Sequence, residues 1–340
     1  MKTMNHILPR LILLPVAAAL VAVSCNKNVG EGANVALKRQ FDAWRAIHYP
    51  AAQEKDGIYI IEDIPGTGRE WDDDLPVTFL TYTMRDLDGT VTYNTDEQWA
   101  KQMGTWTRTG YYGPQITLTG EDASYAGLDV LLDGMRQGGT RTAIIPSWML
   151  TYKRYDSTEK YLEVSTDAVS TIYTVTFLDQ TSNLKDYEFR NLKDYAAETW
   201  HVTDTLSTGA VFFKSFTEFD EDPVEMPNDT TVYIDYIGRR VSDNQVFDTT
   251  IADTAKFYNI YNPSKTYAPI AVKMAENAAD VTISSVKVKE GFGHGLKAMH
   301  AGEKASFAFG YNLGYGSIGA GDLIPRYAAL RFDVELVPEP

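Results

Sequence analysis

Residues 291–336 read GFGHGLKAMHAGEKASFAFGYNLGYGSIGAGDLIPRYAALRFDVEL, and this stretch decides the fold. Phe292, Leu296 and Met299 recur at helical spacing, which predicts a short helix with one buried face, bounded by glycines. Apolar residues then alternate with polar or small ones over 305–309 and 330–336, the period of half-buried strands. A helix followed by two strands is therefore expected here.

The loop between these two strands, residues 311–325, contains too many glycines for a regular element. It nevertheless keeps Tyr315, Leu323 and Ile324 as large side chains. Such a loop is suited to form the wall of a site for an apolar ligand.

Several short motifs follow one another in a fixed order over about a hundred residues. Together they are a more specific signal than any one of them alone. They are DYIG at 235–238, FDTT at 247–250, GLKAMHAGE at 295–303, YG at 315–316, LIP at 323–325 and ALRFDVEL at 329–336. In this order they resemble the FKBP-type peptidyl-prolyl cis-trans isomerase family. The resemblance implies an α+β domain, an antiparallel sheet curled around a short helix, that isomerises X-Pro bonds in peptide or protein clients.

An internal repeat covers most of the chain. Residues 57–95 align with residues 209–250, and both Tyr82–Tyr93 and Tyr236–Phe247 are eleven residues apart. A helical pattern precedes each copy, at 35–48 and at 184–200. The sequence therefore predicts two FKBP-like α+β domains, at 53–180 and, with its leading helix, at 184–340, separated by a polar joint at 179–183.

The N-terminus is predicted to be a targeting segment. Lys2 and Arg10 precede the apolar run 11–23, which has the length of a signal-peptide core. Cys25, the only cysteine, follows directly and resembles the lipidation site of a bacterial lipoprotein; the alternative is a buried free thiol. We expect residues 1–24 to be a signal peptide, 25–52 a lipidated tether and helix, and the protein to be anchored to the membrane of the bacterial cell envelope.

The composition narrows the possible partners and chemistry. A formal charge of -15 over 340 residues argues against nucleic acid and anionic membrane surfaces. The spacing of His294 and His300 matches no usual metal site, and the acidic runs 72–74 and 220–222 are most simply solvated, with calcium as the lesser alternative. No cofactor and no metal are expected.

The resemblance assigns roles to individual residues of the second copy. An aromatic pocket is implied for the proline ring, an aspartate for its wall, a hydroxyl donor at Tyr315, an apolar lip, and a backbone N–H at the end of the strand before the helix, at Val288 or Lys289. The predicted site residues are Tyr236, Phe247, Asp248, Val288, Phe292, Tyr315, Leu323, Ile324 and Phe332. Lys289, where an apolar residue is usual, and Arg326, in place of a common proline, depart from the family pattern. Without the resemblance, aromatic residues at strand spacing are more often part of a core than of a pocket.

The first copy is predicted to be eroded. Asn94 stands where Asp248 does, Tyr93 replaces Phe247, Leu128 sits at the pocket floor, and residues 153–167 lack the YG and IP pattern. We expect a non-catalytic copy used for spacing, dimerisation or substrate capture. In the second copy, residues 251–287 make a longer connection than the family usually has, in which 262–265 and 275–280 look like loop; this insertion would cover or extend the pocket rim. The alternative for the whole chain is a non-catalytic binding or scaffold lipoprotein, since a fold does not imply a function.

Overall fold

The computed structural model describes residues 35–121, 123–163, 169–220, 222–224 and 226–340. The predicted signal peptide and Cys25 lie outside this range. Among the helices described, none is both long enough and apolar enough to span a membrane.

The first half of the chain forms a seven-stranded sheet with four helices. In chain order the elements are α1 (Val35–His48), β1 (Gln53–Lys55), β2 (Ile58–Ile64), β3 (Val77–Asp86), β4 (Val91–Asn94), α2 (Glu97–Gln102), β5 (Gln115–Leu118), α3 (Ala126–Leu132), β6 (Thr140–Ile145), a 3-10 turn (Ser147–Met149), α4 (Thr158–Leu162) and β7 (Thr171–Thr181).

The second half begins with a long helix and forms an eight-stranded sheet. Its elements are α5 (Leu184–Trp200), β8 (Val211–Ser215), β9 (Thr231–Arg240), β10 (Val246–Thr249), α6 (Ala252–Phe257), β11 (Ile270–Lys273), a 3-10 turn (Ala278–Asp280), β12 (Thr282–Ile283), β13 (Val286–Lys287), α7 (Glu290–Lys297), β14 (Lys304–Phe309), a 3-10 turn (Tyr311–Leu313) and β15 (Leu330–Val337).

The two sheets share one strand order, and every pairing is antiparallel. The first contains β2-β6-β7-β3, with β4 and β5 both paired to β3. The second contains β8-β14-β15-β9, with β10 and β11 both paired to β9. The predicted α+β class and the two antiparallel sheets are therefore confirmed, and the repeat extends over all the central strands.

Glycines bring the short helix of each domain against its sheet. A Cβ on Gly291 would lie 2.3 Å from Phe309, and one on Gly295 would lie 2.3 Å from Phe307. In the first domain Gly127 plays the same part against Ile145. The contact is close enough that a side chain on the helix would have to displace the core of the sheet.

Each domain carries its leading helix on its surface, as the sequence predicted. Phe41 of α1 is buried and packs edge-on against Trp148, with ring centroids 5.3 Å apart. Leu192 and Trp200 of α5 pack against Phe212 on the second sheet. Between the domains, β7 ends at Thr181 and α5 begins at Leu184, capped by the side chain of Asn183, which accepts the Asp186 N–H.

The connection 251–287 is not made of loop alone, although residues 262–265 and 275–277 lie outside helices and strands, as predicted. This segment contains α6 and then β11, an integral strand of the sheet, and the first domain has α2 and β5 in the same places. The loops after α2 and α6 also match, because the Thr107 N–H donates to the Tyr112 hydroxyl and the Asn262 N–H donates to the Tyr267 hydroxyl, both at 2.9 Å. The short strands β12 and β13 have no counterpart among the described strands of the first domain.

One buried arginine joins the two domains. Arg240, at the end of β9, has no exposed side-chain surface. Its guanidinium donates to the carbonyls of Thr109 (3.3 Å) and Gly110 (3.0 Å) in the first domain and to the carboxylate of Asp243 (2.6 and 2.9 Å). A further bond reaches the carbonyl of Leu323 at 3.0 Å. All N–H directions of the fork are therefore used, which offsets the desolvation of a buried charge.

Candidate functional site

The second domain contains an aromatic cage centred on Phe332. Five ring centroids surround that of Phe332, at 4.7 Å for Phe292, 5.6 Å for Phe247, 5.9 Å for Phe309, 6.0 Å for Phe307 and 6.1 Å for Tyr236. Most of these pairs are tilted or edge-on, which is the arrangement that aromatic quadrupoles favour. We call this set the aromatic cage.

Different elements supply the rings of the aromatic cage. Tyr236 comes from β9, Phe247 from β10, Phe292 from α7 and Phe332 from β15. Gly238 makes room for them, because a Cβ there would lie 2.7 Å from Phe247 and 3.0 Å from Phe332. The glycine of the DYIG motif is thus required by packing.

Eight of the nine predicted site residues lie in one apolar cluster. Phe247, Phe292, Ile324 and Phe332 are buried within it, and the partly buried members include Tyr236, Val288, Tyr315 and Leu323. The ninth, Asp248, is joined to the cluster through Tyr236, whose hydroxyl donates to Asp248 Oδ2 at 2.5 Å. The fold therefore brings the predicted site residues together in one contiguous group.

Burial and the neighbouring carboxylate keep Tyr236 protonated. Desolvation raises the pKa of the Tyr236 hydroxyl, and the negative charge of Asp248 raises it further. The pKa of Tyr315 is raised by the same two causes in the same order. Both hydroxyls are therefore donors at neutral pH.

Two lysines modify the rim of this site. The ammonium of Lys289 lies 4.5 Å from the centroid of the Tyr315 ring, a cation–π distance. Lys265, on the loop after α6, forms an ion pair with Asp248 Oδ1. Lys265 was missed from the sequence because the loop around it is polar and carries no motif.

The resemblance also implied a free backbone N–H at the strand end, and here one residue is corrected. The N–H of Val288 donates to the carbonyl of Val281 at 3.0 Å, so it is already used within the chain. Among the hydrogen bonds of the described residues, the N–H of Lys289 donates to no backbone carbonyl. The available donor at this position is therefore Lys289 rather than Val288.

The apolar lip, formed by Leu323 and Ile324, is fixed by hydrogen bonds to its backbone. Ile324 is buried and its N–H and carbonyl both pair with Ala320, at 3.2 and 2.8 Å. The carbonyl of Leu323 accepts the bond from Arg240 described above. Because Arg240 also binds the first domain, the lip is connected directly to that domain, a role that the sequence did not indicate.

The two histidines near the site are partly buried and each lies close to a carboxylate. His294 lies 3.5 Å from Glu290, and His300 lies 3.2 Å from the buried Glu303. His300 also packs edge-on against Phe219. Both side chains are therefore only partly exposed and have partners within the domain.

The equivalent site of the first domain is built differently. By strand register Tyr173 holds the position of Phe332, since Tyr173 faces Met84 and Phe332 faces Gly238. Tyr82 stacks on Tyr93 at 5.2 Å, and Asn94 accepts the Thr83 hydroxyl instead of pairing with Tyr82. The tyrosine–carboxylate bond of the second domain is therefore missing here.

Comparisons with known proteins match the segment that carries this site to one family model. Residues 222–337 match the family model described as FKBP-type peptidyl-prolyl cis-trans isomerase. No curated protein matches the chain.

Solved structures with similarity to the chain include three bearing on this family. The three FKBP domains of wheat FKBP73 are 17% identical, with 83% of this chain and 94% of that one covered and a TM-score of 0.29. A peptidyl-prolyl isomerase from Pseudomonas syringae is 22% identical, covering 46% and 92%, with a TM-score of 0.31. FkpA from Escherichia coli is 22% identical, covering 45% and 58%, with a TM-score of 0.31.

The matched segment begins before β9 and ends with β15, so it contains the aromatic cage, Asp248, the lip and α7. The resemblance to FKBP-type peptidyl-prolyl cis-trans isomerases is therefore found over residues 222–337, the part of the chain that carries this site.

Proposed function

We propose that the second domain isomerises X-Pro bonds in exported proteins and that its aromatic cage is the catalytic site. The supporting observation is that the family match coincides with the cage and with the hydrogen bond from Tyr236 to Asp248. The first domain lacks this bond, and the proposal therefore assigns it no catalysis.

The chemistry requires no covalent intermediate. An X-Pro bond rotates over a barrier of about 18–20 kcal/mol, and its transition state is a twisted amide that has lost resonance. An apolar site favours this less polar form over the resonance-stabilised ground state. Phe247, Phe292 and Phe332 offer the apolar walls, while the Tyr315 hydroxyl and the Lys289 N–H are the donors for ligand carbonyls.

The proposed location rests on the N-terminal sequence. Cys25 would carry the lipid, so that the protein is held on the membrane of a bacterial cell envelope and meets clients after export. Uncatalysed prolyl isomerisation takes tens of seconds, long enough to limit the folding of such clients. Replacement of Cys25 by serine should release the protein from the membrane fraction; retention there would contradict the lipid anchor.

The test uses the chain from Val29 onward, which retains every described residue, in a protease-coupled isomerisation assay with a short X-Pro peptide. Asp248→Ala is compared with Asn94→Ala, the matched position of the first domain. Asp248 has a 44% exposed side chain, so the change leaves the core intact. We expect Asp248→Ala to lower kcat/KM by about tenfold or more and Asn94→Ala to leave it unchanged.

Two outcomes would contradict the proposal. An unchanged kcat/KM in Asp248→Ala, or an equal loss in Asn94→Ala, would show that the activity is not specific to the second site. If a well-folded parent did not accelerate X-Pro isomerisation, the isomerase proposal would be wrong. The alternative, a binding protein without turnover, would then be favoured. The ion pair between Lys265 and Asp248 favours that alternative, since it engages the carboxylate that shapes the site.

A further inference from the structure

A large cavity lies outside the aromatic cage. A cavity of about 710 Å³ lies between the first domain and residues 325–329 of the second, and α5 forms part of its wall. We call it the interdomain cleft. Its volume falls within the range of small-molecule and peptide sites, about 300–1,000 Å³.

The interdomain cleft occupies the first domain's equivalent of the catalytic site. Tyr82, Leu128 and Tyr173 line it, at the positions that Tyr236, Phe292 and Phe332 hold in the second domain. Leu128 is smaller than a phenylalanine, and the nearest ring to Tyr173 is that of Tyr82, at 6.5 Å. The site that is filled by rings in one domain is therefore open in the other.

The lining of the interdomain cleft is aromatic and nearly uncharged. Seven tyrosines line it, and apart from them its ionisable residues are Glu188 and Arg326. Burial raises the pKa of Glu188 to about 8, so this carboxyl is largely neutral at pH 7. In a chain with a net charge of -15, such a surface suits a ligand with apolar rings and amide groups rather than an anion or a cation.

A strand edge along the interdomain cleft offers backbone hydrogen bonds. All four residues of β5 line it, and among the described strands β5 pairs only with β3. The matching strand of the second domain, β11, is covered on its other side by β12. An extended peptide can add to an open strand edge and place its side chains on the neighbouring aromatic surface.

The interdomain cleft adjoins the lip of the catalytic site. Pro325 and Arg326 line it and follow Leu323 and Ile324 directly in the chain. We propose that the interdomain cleft binds an extended, uncharged segment rich in proline and aromatic residues, from the same unfolded client that the second domain isomerises. The identity of the client rests on the proposed function; the existence of the peptide site does not.

Peptide binding can be measured by fluorescence anisotropy with the chain from Val29 onward. The probe is a dye-labelled, uncharged peptide of eight residues with one proline flanked by leucine and phenylalanine. Leu128→Trp fills the cleft, and Tyr152→Ala removes a cleft-lining ring that is 50% exposed and therefore dispensable for the core. Leu37→Trp, on the exposed face of α1, is the matched control.

We expect Leu128→Trp to weaken peptide binding by at least about tenfold, Tyr152→Ala by about threefold, and Leu37→Trp not at all. None of the three should change kcat/KM for a four-residue X-Pro peptide more than about twofold, and the Asp248→Ala variant should still bind the probe. If Leu128→Trp does not fold, Tyr152→Ala decides.

The proposal is overturned if the parent does not bind the probe saturably, if neither cleft variant weakens binding, or if Asp248→Ala abolishes it, since the probe would then occupy the catalytic site. The parent could bind the probe in a way that the cleft variants weaken and still show no isomerase activity. This result would support the peptide site in the interdomain cleft and contradict the proposed isomerase function.

Discussion

The two domains share a strand order but differ in what fills the site between sheet and helix. In the second domain, Phe332 is surrounded by five aromatic rings. In the first, Tyr173 borders an open cleft. Topology places these positions in both copies, and the size of a few side chains then decides whether the result is a packed cage or a hollow.

The loops after α2 and α6 have similar local structures but make different contacts. They share an amide-to-tyrosine hydrogen bond and a lysine–aromatic contact, Lys101 with Trp106 and Lys256 with Tyr261. Yet the first loop binds Arg240 of the other domain through Thr109 and Gly110, whereas the second turns back and pairs Lys265 with Asp248 of its own domain. One local structure therefore serves an interdomain contact in one copy and the rim of a site in the other.

The largest expected effect is a difference in stability between a substitution in the packed site and one beside the open cleft. Phe332→Ala should lower the free energy of unfolding by about 3–5 kcal/mol, because a buried phenylalanine is removed from a close-packed cluster. Tyr173→Ala should cost less, about 2 kcal/mol, since the cleft beside it already lacks packing partners. Urea unfolding monitored by circular dichroism measures both. Equal losses would show that the cleft is packed in solution.

Arg240→Met tests the link between the domains. The substitution leaves the carbonyls of Thr109 and Gly110 and the carboxylate of Asp243 without their donor. We therefore expect the free energy of unfolding to fall by about 3 kcal/mol. Because Leu323 also loses its bond, KM for a short X-Pro peptide should rise more than kcat falls.

Arg240→Lys, which keeps the charge and part of the hydrogen bonding, should recover part of both effects. If KM were unchanged in a folded Arg240→Met variant, the lip would not depend on the first domain.

The smallest effect concerns pH and the interdomain cleft. Burial raises the pKa of Glu188 to about 8 in the folded protein, against 4.5 for an ordinary glutamate, and its carboxylate accepts a hydrogen bond from the Tyr311 N–H at 3.3 Å. The folded state therefore holds the proton longer than the unfolded state, and the contribution of Glu188 to stability is greatest below pH 4.5 and falls as pH rises to about 8.

Glu188→Gln removes this dependence. The variant should match the parent near pH 4.5 and exceed its stability by about 2 kcal/mol at pH 8.5, a figure reduced from the full shift because the group is only partly buried. Chemical denaturation at the two pH values makes the comparison, with Glu198→Gln on the same helix as the control. A constant difference between parent and variant would contradict the burial of Glu188.

The sequence predicted what periodicity and ordered motifs encode. The helix at Phe292 and Leu296, the strands around Phe307 and Phe332 and the repeat were all recovered, because apolar spacing depends directly on which face is buried. The strand β11 was missed, since a four-residue strand after a polar loop carries little pattern. Arg240 and Lys265 could not be found, because the contacts of Arg240 with Thr109 and of Lys265 with Asp248 depend on tertiary structure.

The buried guanidinium of Arg240 also constrains the order of folding. The first domain precedes Arg240 in the chain, so folding domain by domain from the N-terminus would put the carbonyls of Thr109 and Gly110 in place before β9 docks. Until β9 docks, Arg240 would have to stay hydrated, because a desolvated charge without partners is strongly unfavourable. The first domain thereby becomes a template on which the second completes its own folding.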